Sequence, residues 1–250
     1  MTLWLLAGLD PTGGAGLIRD VWTAETVGEG CDLRCVVTAF TWQGESRQAR
    51  AEPVSNTVLT RTLADVSDAK AIKLGLLPAR IADQVAQRLR AVHVPVVVDP
   101  VLRATDGGWL GARPDSFRAM RRANVLFTPN RVEAALMLGR HRYDPDLGRD
   151  LAQWLAPAST LLKDAGASTT RVVCDELWHA GRQWKFERER VAGPDPRGTG
   201  CALSTAVACG LWRGRSVQDA IWAAITWLDG ARRNPVRGRD ARPHLSLHPR

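Results

Sequence analysis

A glycine-rich turn followed directly by a cysteine is the segment of this sequence best suited to chemistry. Gly198, Thr199 and Gly200 precede Cys201, which heads the apolar, alanine-rich run ALSTAVACGL. Such a run predicts a helix, and the backbone amides at its amino end would attract an anion. A cysteine at that end would have a lowered pKa and could act as a base or as a neighbour of an anion. The alternative is a small cysteine buried in the core.

A second glycine-rich segment, GLDPTGGAGLIRD, runs from Gly8 to Asp20. It follows an apolar run and leads into a helical pattern of Leu17, Val21 and Ala24. Glycines at such a place let backbone amides approach a ligand closely, and a plain tight connection is the alternative. The segment matches neither G-x-G-x-x-G nor G-x-x-x-x-G-K-S/T. It therefore supports neither a dinucleotide site nor a Walker-type phosphate site.

Short β-branched runs alternate along the chain with stretches of helical period, such as Ile81, Val85 and Leu89. The runs are LWLLA, CVVTAF, AIKLG, VPVVVDP, NVLFTP, STLLK and TRVVC. This alternation predicts an α/β fold with a mostly parallel sheet covered by helices on both faces. Ligands of such sheets bind beyond the carboxyl ends of the strands, and polar or glycine residues follow several of these runs.

Length and composition indicate one compact domain, since 250 residues that are 45% hydrophobic and 24% charged can bury a large core. The start, MTLWLLAGLD, has no basic lead and no small-residue cleavage site, so we expect a buried first strand. No run is long enough to cross a bilayer. The five cysteines show neither a disulfide framework nor a metal-ligand pattern. We expect a cytoplasmic protein with reduced thiols and no membrane partner.

The net charge of +8 raises the question of a nucleic-acid partner. From residue 232 onward the sequence has six arginines and only one acidic residue, Asp240. Five of the eight excess positive charges therefore lie near the end of the sequence. We therefore expect no specific nucleic-acid partner, a folded domain over residues 1–233, and a solvated basic tail over residues 234–250. Arginine supplies nearly all the positive charge, because only four lysines occur: Lys70, Lys73, Lys163 and Lys185.

Six segments in order carry a resemblance to a known family. They are AGLDPTGGAGLIRD, VVTAFTWQG, KLGLL, VVVDPVLRATDGGWL, FTPNRVEA and RGTGCALSTA, within the range from Leu6 to about Trp227. Together they resemble the hydroxymethylpyrimidine/phosphomethylpyrimidine kinases of the ribokinase superfamily. The resemblance implies a ribokinase-like three-layer α/β sandwich that uses ATP and Mg²⁺ in thiamine biosynthesis. The implied substrate is 4-amino-5-hydroxymethyl-2-methylpyrimidine phosphate, with the free alcohol as a further candidate, and a homodimer is expected.

The resemblance also implies roles for residues around the reacting groups. Gly198, Thr199 and Gly200 match the anion hole for the γ-phosphate, and Cys201 matches the position of the catalytic base. The residues that match the aminopyrimidine site are Asp20 and Gln43 at the edge of the ring, Ala15 beside it and Leu76 along its face. The residues on the nucleotide side are Thr128, Asn130, Glu133, Lys163 and Arg197, with Asp99 and Glu133 also near the metal ion.

Two departures from the family pattern bear on activity. Asp164 replaces the glycine that follows Lys163, and Arg197 replaces the histidine before Gly-Thr-Gly. An aspartate near the nucleotide phosphates is expected to weaken ATP binding, with Arg197 or Mg²⁺ offsetting its charge. These departures favour, as one alternative, a catalytically weakened pyrimidine-binding protein. A pyridoxal-type vitamin kinase is the alternative within the same superfamily. We also expect the tail beyond about Asn234 to be dispensable for catalysis.

Overall fold

A nine-stranded sheet organises the chain in the computed structural model, which describes residues 1–44, 47–103, 108–165, 171–237 and 243–246. Side chains are described in these ranges except at positions 43, 44, 47 and 48. The strands of the sheet are β1 (Thr2–Leu9), β2 (Leu33–Gly44), β3 (Arg47–Pro53), β4 (Ala69–Leu74), β5 (Val96–Val98), β6 (Val125–Phe127), β7 (Ser159–Leu162), β8 (Val172–His179) and β9 (Arg182–Glu189). A separate antiparallel pair joins β10 (Val236–Arg237) to β11 (Pro243–His244).

The sheet is parallel in its middle and antiparallel at both edges. Its strand order is β3-β2-β1-β4-β5-β6-β7-β8-β9. Six neighbouring strands of the sheet pair in parallel, namely β2, β1, β4, β5, β6 and β7. The remaining strands, β3, β8 and β9, pair antiparallel with their neighbours. The mostly parallel sheet expected from the sequence is confirmed, and each of the seven predicted runs forms one of its strands.

Helices cover both faces of the sheet and complete a three-layer sandwich. They are α1 (Gly16–Val27), α2 (Asn56–Thr62), α3 (Ala79–Arg90), α4 (Arg131–Leu138), α5 (Leu147–Leu155), α6 (Thr199–Trp212) and α7 (Val217–Arg232), with short 3₁₀ helices at Val66–Asp68 and Pro114–Met120. One core lies between the sheet and α2 to α5, and a second lies between the sheet and α1, α6 and α7. The fold class predicted from the sequence is thus confirmed.

Strand β1 contributes to both cores. Trp4 and Leu6 belong to the core under α2 to α5, whereas Leu3, Leu5 and Ala7 belong to the core under α1, α6 and α7. Successive side chains of a strand point to opposite faces, so a strand buried on both faces needs apolar residues at every position. This requirement explains the continuous apolar run at the start of the sequence.

Strands β3 and β9 are absent from the sequence-based prediction. Their sequences, RQARAEP and RQWKFERE, are rich in charged and polar residues. Both strands lie at the edges of the sheet, where charged side chains protect the free backbone groups from pairing with another chain. Hydrophobic patterning cannot identify such strands, because they need no buried apolar run.

The expectation of a solvated tail is wrong for part of that segment. Leu245 is 2% exposed and His244 is 6% exposed, and Leu245 belongs to the core under α1, α6 and α7. Scattered apolar residues in an arginine-rich segment give no periodic signal, so the burial of Leu245 was not predictable from the pattern. The parts of the tail at residues 238–242 and 247–250 lie outside the described residues.

In the described part of the chain, no helix has the length and apolar character needed to span a membrane. All five cysteines are free thiols.

Candidate functional site

Chemically capable side chains meet at the carboxyl edge of the parallel sheet. Asp10 follows β1, Asp99 follows β5, Asn130 lies three residues beyond β6, and Lys163 follows β7. Parallel strands run in one direction, so their carboxyl ends meet at a single edge of the sheet. Helix α6 begins at Thr199 against the same edge. The sheet therefore gathers residues that are far apart in the sequence around one helix end.

Two glycines shape the amino end of α6. Gly198 has a φ of 81°, a left-handed conformation that glycine adopts without strain. A Cβ on Gly198 would lie 2.3 Å from the carbonyl oxygen of Gly14, and a Cβ on Gly200 would lie 3.3 Å from Nζ of Lys163. The first amides of a helix lack intrahelical acceptors, and the helix dipole favours an anion there. The turn formed by Gly198, Thr199 and Gly200 can therefore bind an anion at close range, and we call it the anion-binding turn.

Two cavities meet at this turn. The arginine-lined cavity, of about 430 Å³, has Arg131, Arg142, Arg188, Arg190 and Arg232 in its wall. The carboxylate-lined cavity, of about 460 Å³, has Asp99, Glu133 and Asp195 in its wall. The residues that line both are Asn130, Val132, Lys163, Asp195, Thr199 and Gly200. Ligands in the two cavities would thus share the anion-binding turn and one lysine.

Lys163 is the ammonium group at this junction. Its Nζ donates a hydrogen bond to Oδ1 of Asp99 at 3.1 Å. Burial alone lowers the pKa of Lys163, but the carboxylates of Asp99 and Glu133 raise it overall. The ammonium is therefore charged at neutral pH and is held in place, which suits the binding of a phosphoryl group.

Glu133 lies beside this pair in the first turn of α4. The Asn130 side chain accepts from the backbone N–H of Glu133 at 2.9 Å, and Oε2 of Glu133 accepts from the backbone N–H of Asn130 at 2.9 Å. This capping box fixes both side chains where α4 begins. Burial raises the pKa of Glu133 to about 7; the Lys163 ammonium opposes this shift and the Asp99 carboxylate adds to it.

Asp99 and Glu133 are two neighbouring carboxylates that could hold part of the coordination shell of a divalent cation. Within the described ranges, no group of three or more His, Cys, Asp or Glu side chains could hold a metal ion. Mg²⁺ commonly uses one or two carboxylates together with water and substrate phosphates. A cation beside Glu133 would also favour its ionised form, which burial and Asp99 disfavour. The two carboxylates therefore suit a Mg²⁺ ion shared with a bound phosphate.

Cys201 lies in the first turn of α6 and lines the carboxylate-lined cavity. The expected lowering of its pKa is wrong, because burial raises the pKa of Cys201 to about 12. The Lys73 ammonium opposes this shift, and Asp20 and Asp99 add to it. Removal from water thus outweighs the favourable helix end, and the thiol keeps its proton at neutral pH.

Asp20, expected at the edge of the aminopyrimidine ring, is fully buried beneath the site. Its Oδ2 lies 2.6 Å from Nζ of Lys73, which is also fully buried, and its Oδ1 accepts from the hydroxyl of Thr205 at 2.9 Å. Burial raises the pKa of Asp20, whereas Lys73 and Thr205 lower it. Two close donors favour the carboxylate, so we assign an ionic pair. Asp20 does not line either cavity.

Asp164 is paired with Arg190. Nη2 of Arg190 donates to the two Asp164 carboxylate oxygens at 3.1 and 3.0 Å. The backbone N–H of Asp164, at a φ of 50°, donates to Oδ1 of Asp175 at 2.7 Å. The expectation that Arg197 offsets Asp164 is therefore wrong. Arg190 directly follows β9. Because β8 and β9 pair antiparallel, β9 ends at the same edge of the sheet as β7, where Asp164 lies.

Arg197 lines the carboxylate-lined cavity and is absent from the wall of the arginine-lined cavity. Its Nη2 donates to Oδ2 of Asp10 at 3.1 Å, and both side chains are largely buried. The pair joins the end of β1 to the residue before the anion-binding turn. The structure thus places Arg197 in the wall of the same cavity as Ala15 and Cys201, and not among the arginines of the other cavity.

The other predicted residues differ in their access to the cavities. Ala15 lines the carboxylate-lined cavity. Leu76 is buried in a small apolar cluster with Leu110, which lines that cavity. Thr128 is fully buried, and its hydroxyl donates to a backbone carbonyl of β5. Gln43 lies near the end of β2, and its side chain is outside the described part of the structure.

Sequence reasoning assigned no role to Lys73 or to the arginines of the arginine-lined cavity, apart from noting the scarcity of lysine. Lys73 follows Asp20 by 53 positions and meets it because α1, which carries Asp20, packs on the face of the sheet onto which Lys73 of β4 points. The signal available in the sequence was the presence of a lysine inside an apolar strand, since lysine is almost never fully buried without a partner.

A family model for phosphomethylpyrimidine kinase matches residues 10–243. A hydroxymethylpyrimidine/phosphomethylpyrimidine kinase of Rhizobium meliloti is 31% identical over 243 residues, with 90% of this chain and 88% of the relative covered. The enzyme of the same name from Streptomyces coelicolor is 32% identical over 234 residues, with 90% of this chain and 86% of the relative covered.

Solved structures share the fold at lower identity. The pyridoxal kinase from Staphylococcus aureus in complex with ADP has a TM-score of 0.82 at 20% identity, with 98% of this chain and 92% of that chain covered. The phosphomethylpyrimidine kinase from Clostridium difficile has a TM-score of 0.71 at 22% identity, with 92% of this chain and 99% of that chain covered. These similarities support the ribokinase-like α/β fold.

Proposed function

Because the chain belongs to the phosphomethylpyrimidine kinase family, we propose that it transfers the γ-phosphoryl group of ATP to 4-amino-5-hydroxymethyl-2-methylpyrimidine phosphate in thiamine biosynthesis. The donor would bind in the arginine-lined cavity and the pyrimidine in the carboxylate-lined cavity. Mg²⁺ and the free alcohol as a second substrate belong to the same proposal.

One observation carries this assignment: the two cavities share Lys163 and the first turn of α6. Transfer between two bound molecules requires their reacting groups to meet at one place, and phosphoryl transfer depends mainly on positioning and on stabilisation of the moving charge. The shared turn offers backbone N–H groups at a helix amino end, and Lys163 offers a buried ammonium. These features support a transfer site at the junction.

At this junction the residues have separate tasks. The N–H groups of Thr199 and Gly200 would bind oxygens of the transferred group, and Lys163 would stabilise the same charge from the side of β7. Asp99 and Glu133 would hold Mg²⁺, which neutralises charge on the nucleotide phosphates when bound. The arginines of the neighbouring cavity would hold the rest of the nucleotide phosphates.

Phosphorylation of the monophosphate needs Cys201 as a general base less than phosphorylation of the free alcohol does. A phosphomonoester has a second pKa near 6, so most of it is doubly charged at neutral pH and its oxygen can attack without a base. The hydroxyl of the alcohol must lose a proton during transfer. Since burial raises the pKa of Cys201 to about 12, little thiolate is present to accept that proton. The site therefore favours the monophosphate.

The fold similarity to the S. aureus pyridoxal kinase favours a pyridoxal-type kinase as the second candidate. At 20% identity that similarity supports the fold alone, whereas the curated relatives above 30% identity bear the pyrimidine kinase name. The third candidate, a pyrimidine-binding protein with weak turnover, rested on the charge of Asp164. The Arg190 guanidinium offsets that charge, which weakens the case for it.

Two further expectations remain part of the proposal. A homodimer is supported by the exposed aromatic side chains of Phe40 and Trp42 on β2, next to the edge strand β3. Light scattering on the purified chain tests it, and a monomer at micromolar concentration would contradict it. A cytoplasmic location is supported by the free state of all five thiols.

The proposed function is tested by release of ADP from Mg-ATP in the presence of three acceptors. The aminopyrimidine monophosphate should give the highest kcat/KM, the free aminopyrimidine alcohol a lower value and pyridoxal the lowest. Highest kcat/KM with pyridoxal would favour the second candidate. Binding of the pyrimidine without ADP release from any acceptor would favour the third.

A further inference from the structure

Residues 243–246, which we call the strap, lie against the site although they are more than 40 positions beyond Gly200 in the sequence. The side chain of Leu245 fills part of the core under α1, α6 and α7, and His244 is almost as deeply buried. Pro243 and His244 form β11, which pairs with β10. The strap is therefore a packed element of the fold.

The strap binds the glycine-rich segment after β1 through Arg19. The Arg19 side chain is 1% exposed. Its Nη1 donates to the carbonyl of Leu245 at 3.0 Å, and its Nη2 donates to the carbonyl of Gly13 at 3.1 Å. One buried guanidinium thus links the strap to the loop that leads into α1. Hydrogen bonds from charged donors are stronger than neutral ones, so this link is expected to restrain the loop.

The strap also contacts the segment that precedes α6. The backbone N–H of Arg197 donates to the carbonyl of Pro243 at 2.8 Å, and Arg197 forms a parallel bridge with His244. The His244 ring lies so close to Gly14 that a Cβ there would be 2.7 Å from its Cε1 atom. Gly14 in turn touches Gly198 through its carbonyl. The strap, the first glycine loop and the anion-binding turn are therefore in mutual contact.

We propose that the strap positions the pyrimidine half of the site, and that His244 and Leu245 are positioning residues for phosphoryl transfer. This inference rests on the proposed function, and it replaces the expectation from the sequence that the tail beyond about Asn234 is dispensable for catalysis. Neither residue lines either of the two described cavities, so each would act through Gly14, Arg197 and Gly198. Arg197 and Gly198 line the carboxylate-lined cavity and are absent from the wall of the arginine-lined one. Loosening the strap should therefore affect the pyrimidine more than ATP.

The test compares His244→Ala and Leu245→Ala with Leu59→Ala in the full chain. Leu59 is fully buried in the other core, so its truncation leaves a comparable cavity away from the strap. Each strap variant should lower kcat at least about tenfold and raise the KM for the aminopyrimidine, since a misplacement of about 1 Å can cost roughly 10²-fold. Leu59→Ala should keep kcat within about twofold, and calorimetry should give every variant an ATP affinity within about twofold of wild type.

Amide hydrogen exchange gives a readout that does not depend on turnover. The amides of Gly14 and of residues 198–201 should exchange faster in both strap variants than in wild type, and Leu59→Ala should leave them unchanged. Unchanged exchange together with wild-type kcat in both strap variants would overturn the proposal. A loss of ATP affinity in parallel with kcat would also overturn it, because it would indicate general unfolding. If wild type fails to phosphorylate the aminopyrimidine, the proposed function fails while the exchange experiment still tests the strap.

Discussion

Two lysine–aspartate pairs in this molecule have the same chemistry in different surroundings. Lys73 and Asp20 are both 0% exposed, and their charged atoms lie 2.6 Å apart. Lys163 and Asp99 are 13% and 3% exposed, with 3.1 Å between their charged atoms. Lys163 lines both cavities, and Asp20 and Lys73 line neither. The two pairs have the same residue types and differ in their access to the cavities. Lys163–Asp99 can therefore bind a ligand, whereas Lys73–Asp20 can only support the site.

The buried pair should give the largest effect on stability. Lys73→Met leaves the Asp20 carboxylate buried without its ammonium partner, which should lower the free energy of unfolding by about 3–5 kcal/mol. Denaturant unfolding measures this change. Replacing both residues, as Lys73→Met with Asp20→Leu, should recover part of the loss because no unpaired charge remains. If folded Asp20→Asn loses aminopyrimidine affinity while keeping its stability, then Asp20 is a direct ligand and the comparison fails.

The accessible pair should affect turnover instead. Lys163→Met removes the ammonium at the junction of the cavities, and we expect kcat to fall by about 10²–10³-fold, as for the loss of one preorganised donor to a transition state. Steady-state kinetics measures this fall. Lys185→Met is the control, because the Lys185 side chain is exposed on β9, and its kcat should equal that of wild type. Equal kcat values in the two variants would contradict the role of Lys163.

The pH dependence of alcohol turnover tests whether Cys201, which lines a cavity, takes part in the reaction. Because burial raises the pKa of Cys201 to about 12, the fraction of Cys201 present as thiolate rises roughly tenfold per pH unit below that value. Turnover of the alcohol should therefore rise with pH between about 7 and 9. Cys201→Ala should remove this rise and lower alcohol turnover by about 10²-fold, the low end for a general base. Turnover of the monophosphate should change much less, because its nucleophile is already charged. Equal losses with the two acceptors would assign Cys201 to packing alone.

The Asp164–Arg190 pair should give the smallest effect. Asp164→Gly removes one negative charge from the arginine-lined cavity and should lower the KM for ATP several-fold, about 1 kcal/mol, while aminopyrimidine affinity stays unchanged. Asp164→Asn is the matched control for the backbone, because asparagine tolerates the left-handed conformation seen at Asp164 and lacks the charge. A KM for ATP that falls in the glycine variant only would assign the effect to the backbone.

Several features of the molecule follow from local sequence alone. Apolar runs such as LWLLA and VPVVVDP predicted strands buried on both faces, and the order of strands and helices predicted a parallel sheet with its site at the carboxyl ends. Gly198, Thr199 and Gly200 could be placed at a helix amino end, because a glycine turn before an apolar run is a short-range pattern. The predicted strands, the parallel sheet and the helix start are confirmed, because periodicity and turn chemistry are local properties of the chain. That the site lies at the carboxyl ends of the strands stays a prediction.

Tertiary structure alone decided which of these residues reach solvent and which charges meet. Asp20 became a buried ion partner because α1 packs on the face of the sheet onto which Lys73 of β4 points. Asp164 met Arg190 because β8 and β9 turn back along β7. Burial reversed the pKa shift expected for Cys201, and the packing of Leu245 brought the strap onto the site. Desolvation and long-range charge pairing depend on distances between residues far apart in the chain, and no local pattern encodes those distances.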